Sequence, residues 1–345
     1  MAYTTINKHT DYFRTKAYTG NGADDRDITW DESSNMQPDM LLSKGRSNAD
    51  HWSIYDAVRG SGKELRIETG AEYDRANNIQ ALQTNGFQVG TDGQVNGNSV
   101  TYVSWGWKAN GQGSSNTDGS INTSYTSVNT TAGFSICKWT GTGANGTIGH
   151  GLGVKPDMII IKNLEATENY VVYHSYLGAE KNLKLNLNAD FQDTTGAFND
   201  TEPTSSVFTV HTNTNVNQNN TQMIAYCFRN VDGYSKCGGY IGNGNADGTF
   251  IYTGFKPSFV MWKKTGTEDW GISDNKRDTF NVVGNKLRPN ATNTESTGNS
   301  HMDFLSNGFK WKSTSGEFNA NTGEYIYMAF GQSLVGSNNV PCTAR

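Results

Sequence analysis

The sequence predicts an all-β fold: three tandem β-sandwich repeats of about 100 residues, jelly-roll or lectin-like, with an immunoglobulin-like strand order as the alternative. Three observations predict it. Hydrophobic residues make up only 34%, while Gly, Asn, Thr and Ser break the chain into short segments. The 16 Tyr, 15 Phe and 8 Trp are more aromatics than a disordered chain carries, and they supply cores. One proline-led apolar segment is written three times: QPDMLLSKG at 37–45, KPDMIIIKN at 155–163 and KPSFVMWKK at 256–264.

Around that segment other anchors recur in one order. An aromatic and a glycine-rich turn come first: YTGNGADD from Tyr18, WTGTGANGT from Trp139, YIGNGNADGT from Tyr240. The proline strand follows. Its runs MIII and FVMW are continuously apolar, as expected of a strand covered on both faces, and proline is tolerated at a strand start. Next comes an aromatic-led alternation: WSIYD from Trp52, YVVYH from Tyr170, WGISD from Trp270. Then come segments centred on Phe87, Phe208 and Phe309, and a closing strand: YVSWGWK, MIAYCFR or YIYMAFG. The closing strands alternate, with Val103, Trp105 and Trp107, or Ile224, Tyr226 and Phe228, or Ile326, Met328 and Phe330, on one bulky face. Segments 60–67 and 176–185 read as a strand or a helical turn, and no longer amphipathic helix is expected.

These anchors place repeats at 13–108, 134–233 and 234–333. Residues 109–133, rich in Ser, Thr, Asn and Gly, read as a flexible or extended linker that sets the first repeat apart. The second and third repeats are joined almost directly. Residues 1–12 and 334–345 read as polar arms.

The formal net charge is −5 and no basic cluster occurs, so no nucleic-acid partner is expected. No apolar signal region and no span of membrane length is present, so the expectation is a soluble chain without membrane insertion. Cys137, Cys227, Cys237 and Cys342 form no CxxC, so buried free thiols are expected, with a Cys227–Cys237 disulfide as the alternative. Cys227 aligns with Gly106 and Ala329, which marks a position for small residues.

The search for chemistry yields no catalytic residue, metal site or cofactor. The glycine-rich GHGLG at 149–153 lacks a nucleophile serine and precedes a strand, so it reads as a turn. No carboxylate pair stands out for glycoside hydrolysis, and Asp24, Asp25 and Asp27 read as solvated turn acids rather than a calcium site. Asp56, His174 and Asp274 share one aligned position, yet they are not one constant catalytic group. Trp52, Tyr170 and Trp270 also share a position. They fill a core with Ile54, Val172 and Ile272, or else form an exposed plate for a glycan. Trp311 and Tyr125 are further candidates for exposure.

The segments NTTAGFSICKWTGTGANGTIGHGLGVKPDMIIIKN and VVYHSYLGAEKNL, with MAYTTINK, YDAVRGSGKEL, YVSWGWKANG and GSNNVPCTAR, resemble a repeated β-domain of structural proteins in marine tailed bacteriophages. The resemblance covers nearly the whole chain. It implies a virion protein, and the expectation is a non-enzymatic tail-fibre or tail-appendage component, with a capsid decoration or head-fibre protein as the alternative and a tail-associated polysaccharide-degrading enzyme as the second alternative. The first implies a homo-oligomer, a trimer for a fibre, docked to other virion proteins through residues 1–12 and facing a host surface glycan. The third repeat departs from the pattern, with DNKRDTF where the first has VRGSG.

Overall fold

The structure, a computed structural model, describes residues 4–298, 300–333 and 335. The first stretch contributes β1 (Phe13–Thr19), β2 (Arg26–Thr29), β3 (Met40–Gly45), β4 (Ser53–Asp56), β5 (Lys63–Glu64), β6 (Tyr73–Asp74), β7 (Ile79–Gln83), β8 (Gly86–Val89) and β9 (Thr101–Trp107). The second contributes β10 (Thr123–Asn129), β11 (Phe134–Thr140), β12 (Gly146–Gly149), β13 (Met158–Asn163), β14 (Val171–His174), β15 (Lys181–Lys184), β16 (Gln192–Asp193), β17 (Val207–Val210) and β18 (Gln222–Phe228). The third contributes β19 (Ser235–Ile241), β20 (Phe250–Tyr252), β21 (Phe255–Lys264), β22 (Gly271–Asp274), β23 (Met302–Leu305), β24 (Gly308–Trp311) and β25 (Glu324–Ser333). The chain is all-β, and among the described residues helix is confined to single turns.

Three large antiparallel sheets share one spatial order: β1-β9-β3-β4, β11-β18-β13-β14 within a seven-stranded sheet, and β19-β25-β21-β22. Register follows the same pattern. Phe13 and Met40 flank Trp107, Phe134 and Met158 flank Phe228, and Ser235 and Phe259 flank Phe330. A small sheet covers one face of each: β2-β8-β7, β12-β17 or β20-β24-β23. Ile28 and Phe87 thus pack with Leu41, Ile148 and Phe208 with Ile159, and Ile251 and Phe309 with Val260.

The opposite faces of all three large sheets meet one another. Met40, Leu42, Val103, Trp105 and Trp107 share a core with Met158, Ile160, Ile224, Tyr226 and Phe228, and with Phe259, Met261, Ile326, Met328 and Phe330. The proline strands are therefore buried on both faces, which explains their continuous apolar runs. The bulky faces of the closing strands point into this shared core, away from the small sheets.

The glycine-rich turns are pinned alike. One-turn helices α1 (Gly93–Asn96), α3 (Thr214–Asn217) and α4 (Gly316–Asn319) each end in a fully buried asparagine; α2 (Thr195–Phe198) lies earlier in the second stretch. Asn217 Oδ1 accepts from Thr142 N (3.0 Å) and its amide donates to Ala144 O (2.6 Å). Asn96 and Asn319 hold the other two turns in the same way. Glycine is required at Gly141, where an added Cβ would run into Gln218 O, and at Gly143, whose φ is +68°.

Three expectations are corrected. Residues 109–133 are not a flexible linker: β10 pairs with β11, and residues 114 and 121 bridge to 126 and 148. Hydroxyls hydrogen-bonded within the fold, such as Thr123 to Thr126 (2.8 Å), make this polar segment structural. The first sheet is not set apart, since it shares the central core. The described part of arm 1–12 is also not free. Ile6 is buried in that core, His9 Nδ1 meets Gln332 Oε1 at 2.9 Å, and Gln332 donates to Asn7 O. Cys342 and most of 334–345 lie outside the described residues.

Candidate functional site

The aligned residues singled out in the sequence build the joints between sheets. Trp52 Nε1 donates to Arg288 O (2.9 Å), Tyr170 OH to Arg66 O (3.1 Å) and Trp270 Nε1 to Lys184 O (2.9 Å). The acceptors are themselves equivalent, each following a buried leucine (Leu65, Leu183 or Leu287). First reaches third, second reaches first, third reaches second: the contacts close a ring. Trp52, Tyr170, Trp270 and Trp311 are 0–1% exposed, so none is a glycan plate. Their N–H or O–H groups reach across a joint or their rings fill a core, and no ring face is left to solvent. Tyr125 is half-buried.

The position of Asp56, His174 and Asp274 is the second joint. Tyr226 OH donates to Asp56 Oδ2 (2.7 Å), Trp105 Nε1 to Asp274 Oδ2 (3.2 Å), and His174 Nε2 to Tyr327 O (3.2 Å). Asp56 is paired with the buried Arg59 (2.6 Å), and Asp274 with the buried Arg277 (2.5 Å). Glu295 clamps Arg277 (2.8 Å) to Arg46 of the first sheet (2.7 Å). Burial pulls the His174 imidazole down to about 4, so this joint is neutral. Carboxylates held this way are consumed by structural partners.

The remaining sequence candidates are also accounted for. Cys137, Cys227 and Cys237 are buried free thiols, so Cys227 and Cys237 form no disulfide; burial pushes the Cys227 and Cys237 thiols up. Asp24 and Asp27 accept from Gln80 and from Gln83 and Gln88. Among the described residues no group of three His, Cys, Asp or Glu is placed to hold a metal ion. GHGLG is a turn, with His150 buried and its Nδ1 accepting from Leu152 N.

Sequence reasoning missed three buried lysines. Lys44, Lys162 and Lys263 close the proline strands and lie on the face of Met40, Met158 and Phe259. Each ammonium donates to two backbone carbonyls of the following turn, as Lys162 does to Asn163 O (2.7 Å) and Ala166 O (2.8 Å). Burial pulls all three down to about 8. The signal was visible: a lysine closes the apolar run in each of the three aligned segments.

A polar recess of about 510 Å³ opens in the third stretch, lined by Lys286, Arg288, Ser313, Ser315, Glu317 and Phe318. Glu317 Oε2 pairs with Lys286 and takes Arg288 Nη2 (3.3 Å), and Arg288 Nε meets Asp269 (3.0 Å). Glu317 Oε1 is buried without a hydrogen-bond partner. Burial lowers the Lys286 ammonium, opposed by Glu317. Trp311 stacks behind Phe318 (4.8 Å), one layer beneath the wall. His301, also on the lining, lies 3.1 Å from Ser273 Oγ. Ser273 gives its proton to Asn285 O (2.8 Å) and therefore accepts from His301, opposite to an activated nucleophile.

Fold and joints define a class: an all-β body of three large sheets closed around one core. The chain belongs to the family DUF7483, a domain of unknown function, whose match spans residues 8–333. That match runs across all three sheets. No curated protein and no solved structure matches the chain.

Proposed function

We propose that the protein is a non-enzymatic structural protein of a bacteriophage particle, a tail-fibre or tail-appendage component that presents a rigid β body toward the host surface. The observation that carries this reading is the use made of Asp56, His174 and Asp274. The polar groups that recur along the chain tie sheet to sheet instead of converging on a cleft. The resemblance of the repeated segments to marine tailed-phage structural proteins supports the same reading. On this reading the protein sits in the virion, with other virion proteins as partners, a homotrimer as the fibre assembly and a host glycan as the surface met.

The ring of contacts within one chain favours a second reading, a capsid decoration or head-fibre protein. A single chain of approximately threefold form suits a threefold position on a shell without further copies. Cryo-EM of intact particles separates the two. Density for this body on the tail is expected, and density on the capsid lattice contradicts the first reading. Release of reducing ends from host polysaccharide tests the third reading, a polysaccharide-degrading enzyme. No release is expected, and sustained turnover contradicts a non-enzymatic role.

A further inference from the structure

We propose that Ser53 and Gln94 join in an intramolecular ester, a covalent cross-link that the first stretch forms on itself. The groups such a step needs meet in one buried cluster. Ser53 lies on β4, Glu64 on β5 and Gln94 on α1, and none is more than 3% exposed. The Ser53 hydroxyl donates to Glu64 Oε1 (2.8 Å), and Gln94 Nε2 donates to Ser53 Oγ (2.5 Å). The same nitrogen also donates to Glu64 Oε1. One carboxylate oxygen thus touches both the proton that must leave the nucleophile and the nitrogen that must receive it. Arg66 Nη2 donates to Gln94 Oε1 (3.1 Å), where negative charge develops during attack, and Arg66 Nε holds Glu64 Oε2 (3.0 Å).

Ser53 Oγ attacks Gln94 Cδ as its proton passes to Glu64. The terminal torsion of a glutamine is broad, and rotation about it presents the carbonyl face to the hydroxyl. The tetrahedral centre collapses with cleavage of the Cδ–Nε2 bond, Glu64 returns the proton to nitrogen, and ammonia leaves. An O–C bond replaces an N–C bond, nothing is oxidised or reduced, and Glu64 ends as it began. Protonation and dilution of the ammonia in water draw the exchange forward, and burial keeps water from the ester. The step runs once per chain, so groups held in contact need no fast chemistry. It turns over no substrate and is independent of the particle role. The aligned positions show that the cluster belongs to the first stretch. Val171 and Gly271 stand where the first has Ser53, so neither of the others carries the nucleophile. In the third, Lys286, Arg288 and Glu317 replace Glu64, Arg66 and Gln94, an ion-paired set without a carboxamide. The ester would tie β4, which carries the joint residue Asp56, to α1, whose Asn96 pins the glycine-rich turn.

The test is the intact mass of the purified full chain under denaturing conditions, with tryptic mapping. A mass about 17 Da below that required by the sequence is expected, the loss of one ammonia. Segments 47–59 and 76–108, which trypsin otherwise separates, are expected to stay linked through Ser53 and Gln94 and to come apart in hydroxylamine. Ser53→Ala and Glu64→Gln are expected to show the full masses that their sequences require. The wild-type mass decides the matter even where a variant fails to fold. The proposal is overturned by a wild-type mass equal to that of the sequence, by an ammonia loss that persists in Ser53→Ala, or by a loss that maps to another segment, as cyclisation at an Asn-Gly pair would give. Any of these outcomes leaves the particle role standing. That role is decided separately, by where the protein sits on the virion.

Discussion

At the scale of single residues, the joints rest on buried polar groups whose partners lie in another sheet. Asp56 is fully buried between Arg59 and Tyr226. Replacing it with alanine leaves the buried Arg59 guanidinium with only the partly exposed Glu72 carboxylate (3.3 Å), a change that costs up to about 3–5 kcal/mol. Urea unfolding of Asp56→Ala should show that loss, and a loss under about 1 kcal/mol would mean that the pair is not buried as described. His174 makes the equivalent joint with no charge. The unfolded chain takes up this proton near pH 6.5, whereas the folded chain takes it up only near pH 4. Stability held by the neutral imidazole is therefore complete above pH 6.5 and lost as pH falls toward 4. The difference corresponds to about 3 kcal/mol. Stability measured across that window should fall in the wild type and fall less steeply in His174→Gln.

At the scale of elements, the proline strands, closing strands and glycine-rich turns were legible in the sequence because each couples a backbone need to a residue type. Pro38 and Pro156 stand just before β3 and β13, where no ladder N–H is needed, and Gly143 takes a positive φ. The stretch 109–133 was misread because composition reports flexibility only where hydroxyls bond water, and here they bond the sheet. The recess was not legible at all. Lys286, Arg288 and Glu317 are charged residues in unremarkable settings, and only the fold shows that their aligned counterparts Glu64, Arg66 and Gln94 close on each other. The glycine-turn clip predicts that Asn217→Ala, which removes its bonds to Thr142 N and Ala144 O on the exposed turn, costs about 1–2 kcal/mol by thermal or urea unfolding. The three strand-ending lysines predict an alkaline effect of the same sign as that of His174, stability rising with pH, in a higher window. Each releases its proton near pH 8 in the folded chain and near 10.5 in the unfolded chain. Their contribution to stability therefore rises between pH 8 and about 10, and Lys162→Met should reduce that rise.

At the scale of the whole molecule, the order of anchors along the chain indicated three units, and the packing shows why none of them is self-sufficient. The alternation of Val103, Trp105 and Trp107 marks a bulky face, but a sequence cannot say whether such a face meets its own small sheet or two other large sheets. In this fold it meets the other sheets, and Trp105, Trp107, Phe228, Phe259 and Phe330 pack edge to face across the joints. An isolated 13–108 fragment would expose Met40, Leu42, Trp52, Trp105 and Trp107 together, an apolar patch far larger than a soluble monomer carries, and it should aggregate on size-exclusion chromatography. The most direct measurement is equilibrium unfolding of the full chain in urea, followed in parallel by tryptophan fluorescence and by circular dichroism. A shared core predicts one transition with the same midpoint by both probes, shifted as a whole by Asp56→Ala. Two or three separable transitions, with Asp56→Ala moving only one of them, would contradict the account.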